Sequence, residues 1–245
     1  MKRFIYRFSI FILVLFVIPS LTHLAIWAAT DRPTSWRVAD WSSAGILPEA
    51  AASNSAKIYV MSARTGGLKG AISKHSWIVL KKPGANRYER YDVVGWGRPV
   101  RLNAYPADGK WYSNLPEIQF EASGQQAEIL IPKILKAIAA YRWQKRGDYT
   151  IWPGPNSNTF VANIIRNVPG FNAKLPATAI GKDFPMAGKF VDLDRGRNSL
   201  RLSLYGYAGI LVGLKSGFEL NLLGLVAGID WQRPALLLPG FGRIG

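Results

Sequence analysis

The sequence predicts an α+β domain, built on an antiparallel sheet packed against helices and preceded by one transmembrane helix. Three observations carry that expectation. An uncharged apolar run opens the chain, several short β-rich runs follow it, and two helix-forming stretches come after them.

The opening run extends from Phe8 to Thr30, behind Lys2, Arg3 and Arg7. It reaches the roughly 20 apolar residues that a helix needs to cross hydrocarbon. The basic residues lie before it, while Asp31 and Arg32 cancel after it, which keeps the amino terminus in the cytoplasm and exports the rest. Pro19 is expected to kink the helix, a feature that membrane helices tolerate. A cleaved signal peptide ending at Ile26-Trp27-Ala28 is the competing reading, although signal cores usually run only about 7–15 residues. Both readings place the domain outside the cytoplasm, and the anchor reading gives a single-pass inner-membrane protein facing the periplasm or cell exterior.

Four segments follow from the pattern: an anchor over 1–30, a linker over 31–56 rich in Ser, Pro, Gly and Ala, a domain over 57–195, and a glycine-punctuated tail over 196–245. Lys57 to Ala63 reads as a strand that runs into the loop Arg64-Thr65-Gly66-Gly67-Leu68. His75 to Lys81 and Arg87 to Trp96 read as a hairpin turning through Pro83-Gly84-Ala85-Asn86. Ile118 to Ala122 is a further short strand. Leu130, Ile131, Ile134, Leu135, Ile138 and Tyr141 recur at helical spacing and predict a helix from about Gln125 to Gln144, with a capping box from Ser123 and Gln126 and a bend at Pro132. A shorter helix is predicted from Asn158 to about Asn167, stopped by Pro169-Gly170. In the tail, Leu200, Leu202 and Leu204, then Phe218, Leu220 and Leu222, alternate with other residues. They predict a long β-hairpin that completes the domain and touches the membrane surface.

Composition narrows the chemistry. With no Cys, the chain has neither disulfides nor a thiol nucleophile, and with only His23 and His75 it lacks the ligands for a His/Cys zinc site. No cofactor is implied. The net charge is +16, and setting aside Lys2, Arg3 and Arg7 leaves +13 on the exported part. Outside the cytoplasm this points away from nucleic acid and towards the membrane, with anionic lipid or acidic envelope polymers as partners. A merely solubilising basic surface fits the same number.

Ser157 is the leading candidate for chemistry. It follows Pro153-Gly154-Pro155 and stands at the start of the second helix, within Asn156-Ser157-Asn158-Thr159-Phe160-Val161. Free backbone N–H groups there favour an anionic ligand or an oxyanion. His75, the single imidazole outside the anchor, begins a strand. A simpler reading makes Ser157 or Asn156 a helix cap and His75 a satisfied strand residue. Weaker candidates are Arg64 in its glycine loop as an anion ligand, and Trp96, Trp111, Trp143 and Trp152 as the lining of a groove. Asp192 and Asp194 are read as turn and surface residues.

In this order, a strand opening with His, then Tyr149, then Asn156-Ser157-Asn158-Thr159-Phe160-Val161 resembles circularly permuted NlpC-type papain-like proteins, the group that includes lecithin:retinol acyltransferase. The phrases Tyr91-Asp92-Val93-Val94-Gly95-Trp96-Gly97 and Trp152-Pro153-Gly154-Pro155-Asn156-Ser157-Asn158-Thr159-Phe160 resemble, over about residues 57–185, an uncharacterised bacterial family known as a domain of unknown function. The papain-like resemblance implies Ser157 in the place of the nucleophilic Cys and His75 in that of the base. That group's third polar residue lies on the strand after the His strand. Its position aligns with Val94, while Asp92 is the one carboxylate that the hairpin brings near His75.

The resulting expectation is a papain-like envelope hydrolase or acyltransferase acting on amide or ester bonds of lipid or peptidoglycan-derived molecules. Ser157, His75 and Asp92 would be catalytic, and Asn156, Asn158, Arg64 and Trp152 would bind. The alternative is a non-catalytic papain-like module for envelope binding or assembly.

Overall fold

The computed structural model describes residues 1–245 except 195 and 197, and leaves the side chain of Ala187 undescribed. The apolar run forms α1 (Lys2–Ile12) and α2 (Ile18–Ala28), joined by a π-helical turn over Leu13–Val17. Pro19 has no N–H to donate and its ring crowds the carbonyl four residues back, at Leu15, so the wider turn falls where the ladder must open. From Lys2 to Ala28 the helix is long and apolar enough to cross a membrane, as a single-pass anchor requires.

The domain sits directly on the end of this helix. Trp27 Nε1 donates to Gly67 O at 2.9 Å, the Arg64 guanidinium lies 5.5 Å over the Trp27 ring, and His23 meets Phe241 edge-on at 4.9 Å. The segment read as a linker does not stand free either. Asp108 accepts hydrogen bonds from Ser43 Oγ and from the N–H groups of Ile46 and Leu47, and Trp41 packs against Tyr105, Trp111 and Tyr112. Its Ser, Gly and Pro residues make turns whose polar groups are paired. Composition alone does not separate such turns from flexible chain.

A five-stranded antiparallel sheet forms the centre, in the order β4-β3-β2-β1-β5. Its strands are β1 (Lys57–Arg64), β2 (Lys74–Lys81), β3 (Glu89–Val93), β4 (Val100–Leu102) and β5 (Glu117–Ser123). Alternation divides them between two cores. Ile58, Val60, Ile78 and Leu80 pack with α3 (Gly124–Ala139) and α4 (Ser157–Asn167). Tyr59, Met61, Trp77 and Val79 face the other way, where Trp111 and Trp41 cover them. Burial on both faces explains why the β1 and β2 sequences read as nearly continuous apolar runs.

Two details of α3 differ from expectation. It stops at Ala139 rather than near Gln144, because Gln144 Nε2 turns back to cap the carbonyls of Ala139 and Tyr141. The capping box is not formed: Ser123 makes no side-chain cap bond and instead closes β5 opposite Lys57.

The tail is not a hairpin added to this sheet. It forms a second sheet of seven strands, each antiparallel to the next: β6 (Val191–Asp194), β7 (Ser199–Leu204), β8 (Ala208–Gly213), β9 (Gly217–Leu222), β10 (Leu225–Asp230), β11 (Ala235–Leu238) and β12 (Gly242–Ile244). Turn glycines at positive φ, such as Gly206 (+79°) and Gly224 (+85°), cut the apolar stretch into these short strands. The boundary expected at 195/196 falls inside the sheet, since β6 pairs with β7. Asp192 lies 4.0 Å from Arg166 and stays partly exposed, as a surface residue would.

Candidate functional site

The β2–β3 hairpin brings His75 and Asp92 together. Their register sets Ile78 opposite Tyr91 and Val79 opposite Arg90, so His75, Trp77, Arg90 and Asp92 all project on the Trp111 side of the sheet. His75 Nε2 is 2.7 Å from Asp92 Oδ1, and Arg90 holds the other oxygen through an Nε hydrogen bond at 2.9 Å, with Nη2 in ion-pair contact at 2.7 Å. Arg90 also donates from Nη1 to Pro106 O and lies 4.0 Å over the Trp77 ring. Trp111 stacks on the imidazole at 3.7 Å with the planes 1° apart. Asp92 and Arg90 are each only 1% exposed and His75 4%.

Burial disfavours every charge here, and the outcome depends on the partners. For His75 burial is the largest effect and Arg90 adds to it. Together they outweigh Asp92 and hold the imidazole below its ordinary 6.5, hence neutral at neutral pH. For Asp92 burial acts upwards, but the charges and hydrogen bonds of His75 and Arg90 prevail and keep it ionised, below the usual carboxylate range.

Ser157 arrives from the other layer, at the first position of α4. Asn156 caps that helix, its Oδ1 accepting from the N–H groups of Asn158 (3.0 Å) and Thr159 (3.1 Å). Its Nδ2 donates to Ile151 O and Ile180 O. The cap fits because Gly181 lies against it: a Cβ at Gly181 would fall 2.2 Å from Asn156 Nδ2. Asn158 Nδ2 then donates to Lys74 O at 2.8 Å, which fastens the first turn of α4 to β2 immediately before His75. Ser157 and His75 are thus each one residue away from the Asn158–Lys74 bond. Among the described residues, neither Ser157 Oγ nor His75 Nδ1 has a hydrogen-bond partner, so none joins the two. Asn158 Oδ1 is buried and also unpaired.

Asn156 and Asn158 therefore stand beside Ser157 as expected, with the first acting as the cap and the second as the tether. Two other candidates lie elsewhere. The Arg64 guanidinium donates to the carbonyls of Gly70, Ala71 and Gly240, which spends it on joining the glycine loop to the second sheet rather than on an anion. Trp152 donates to Leu223 O and packs on Tyr207, at the contact with that sheet. The four tryptophans do not line one groove: Trp96 is exposed, Trp143 packs on Tyr141 and Phe184, and Trp111 alone reaches the site.

Sequence reasoning missed Arg90, and had Trp111 only as one of four groove-lining tryptophans. Arg90 left a signal, since it stands two residues before Asp92 on the same strand face. The place of Trp111 over His75 left none, because it comes from a loop distant in sequence. A cavity of about 440 Å³ lies between the first domain and the second sheet, away from His75 and Ser157. Its cations Lys182, Lys174 and Arg243 are engaged by Glu219 and Asp230. Among the described residues no three side chains of metal-ligating type stand together.

A model of the family described as "Protein of unknown function (DUF3750)" matches residues 55–184. No curated protein and no solved structure matches the chain. The matched span takes in the whole first sheet, α3 and α4, with His75, Asp92 and Ser157 inside it, and ends before the second sheet. As that span covers more than half of the sequence, the chain belongs to the DUF3750 family of proteins of unknown function.

Proposed function

We propose that this protein is a papain-like hydrolase or acyltransferase of the cell envelope, anchored in the inner membrane with its domain outside the cytoplasm. Its substrates would be amides or esters derived from lipid or peptidoglycan. The observation that carries the reading is the His75–Asp92 bond. It uses Nε2, leaves Nδ1 unpaired, and stands one residue from the strand carbonyl to which the Ser157 helix is tied. Asp92 lies on the strand after the His strand, which carries the third polar residue in papain-like proteins, although that residue's own position aligns with Val94.

In the proposed reaction Ser157 Oγ attacks the carbonyl carbon while His75 Nδ1 takes its proton, and Asp92 stabilises the imidazolium that forms. Asn156 engages the N–H groups of Asn158 and Thr159, which leaves the N–H of Ser157 and the positive end of α4 for the oxyanion. His75 then returns the proton to the leaving amine or alcohol. Water completes hydrolysis, and a second alcohol or amine completes transfer. The absence of a Ser157–His75 bond in the free protein is compatible with this reading, because catalytic contacts often tighten only with substrate.

One observation favours the alternative, a non-catalytic envelope-binding module. His75 projects on the Trp111 face while α4 packs on the opposite one, and Arg90 already satisfies Asp92. A pH profile separates the two. The base must be neutral and its pKa lies below 6.5, so hydrolysis of an activated ester should be flat above pH 6.5 and fall on acidification. Ser157→Ala should be inactive throughout. Turnover that persists in Ser157→Ala, or none in the wild type at any pH, sinks the catalytic reading.

A further inference from the structure

The second sheet is turned inside out. Its register aligns Leu202 with Ile210, Ile210 with Leu220 and Val212 with Phe218 on one face, while Arg201, Ser203, Glu219 and Asn221 alternate onto the other. The polar face is the one packed on the family domain. There Glu219 pairs with Lys182, Arg201 pairs with Asp183, and Asn221 donates to Asp183 at 2.9 Å. An antiparallel sheet with one face in water has the opposite arrangement, apolar side inward. Here Leu202, Leu204, Ile210, Val212, Ile229 and Leu236 keep 40–60% of their surface exposed. They extend across β7, β8, β10 and β11 as one patch, not as the scattered apolar residues of an ordinary surface.

The amino-terminal helix indicates what covers the patch. Its Leu13–Val17 turn lies against β10, with Phe16 only 3% exposed, and His23 packs on Phe241 in the β11–β12 turn. The helix that is apolar enough to cross a membrane therefore runs beside this sheet, and the two share one environment. The outermost strands, β6 and β12, have open edges, whose unpaired backbone groups exclude a position deep in hydrocarbon. Exposed Lys215 and Arg233, with Trp231 between the same turns, edge the sheet with the residue types favoured at an anionic lipid interface.

We infer that the apolar face of the seven-stranded sheet is a second membrane contact, resting in the interface of the anionic bilayer that the helix enters. The inference is independent of any chemistry at Ser157.

The chain has no Cys, so single labels are clean. Ile210→Cys, Leu236→Cys and the control Arg87→Cys, at the far end of the β2–β3 hairpin, would each carry an environment-sensitive fluorophore. The full chain would be reconstituted in vesicles of phosphatidylcholine and phosphatidylglycerol. Labels at 210 and 236 should emit blue-shifted and lose most of their fluorescence when the lipid carries a nitroxide on its acyl chain, while the label at 87 should do neither. Two results would overturn the inference. One is emission at 210 and 236 as water-like as at 87. The other is shielding without quenching by lipid nitroxide, which means that a second copy of the chain covers the face.

Discussion

Arg90→Met should destabilise the fold by about 3–5 kcal/mol, the usual cost of removing one partner from a buried ion pair. Asp92 is 1% exposed, and its second oxygen has Arg90 as the cation in contact with it. Without that guanidinium the carboxylate stays buried with only the neutral imidazole beside it. Met fills most of the Arg volume, so the loss reports charge rather than a cavity. The double variant Arg90→Met, Asp92→Leu should recover much of the stability, because replacing a whole buried pair by apolar residues is often neutral. Denaturant unfolding followed by tryptophan fluorescence measures both. A single-variant loss under about 1 kcal/mol would show that the pair is solvated like a surface one.

The same residues make the fold sensitive to acid. His75 and Asp92 both bind protons more weakly folded than unfolded, so unfolding takes up protons and stability falls as pH drops. Their contribution declines first below 6.5 and again below 3.8.

Ser157→Cys is the second variant with a large expected effect. On the proposed pairing with His75, a thiol at the start of α4, facing the helix dipole, should ionise well below the roughly 8.5 of a free thiol. At pH 6 its alkylation by iodoacetamide should run on the order of tenfold to a hundredfold faster than that of a cysteine at exposed Ser35. Alkylation no faster than at Ser35, and rising with pH as for an ordinary thiol, would mean that the position is shielded from both the dipole and His75.

How much was legible in the sequence differs between the halves of the molecule. Apolar alternation and the Pro83–Asn86 turn are local signals, and they located β1, β2 and the β2–β3 hairpin to within a few residues. The start of α4 was equally plain, since Asn156 caps through its own neighbours. Asp92 came from pairing geometry, and the hairpin that aligned it near His75 does form. The tail was harder. Leu200, Leu202 and Leu204 mark a strand but do not say which sheet it joins, and the buried Glu219 and Asn221 follow a pattern that a water-soluble reading takes as solvent-facing. Trp41 and Asp108 fold the supposed linker through contacts distant in sequence, which no local pattern encodes.

The central claim is that Ser157 is a nucleophile activated by His75, and covalent capture tests it most directly. The full chain treated with a fluorophosphonate, digested and analysed by mass spectrometry should carry the phosphonyl adduct on the peptide containing Ser157. Labelling should be lost in Ser157→Ala and strongly reduced in His75→Ala. A folded wild-type protein with Ser157 unmodified, or an adduct that persists in Ser157→Ala, would contradict the claim.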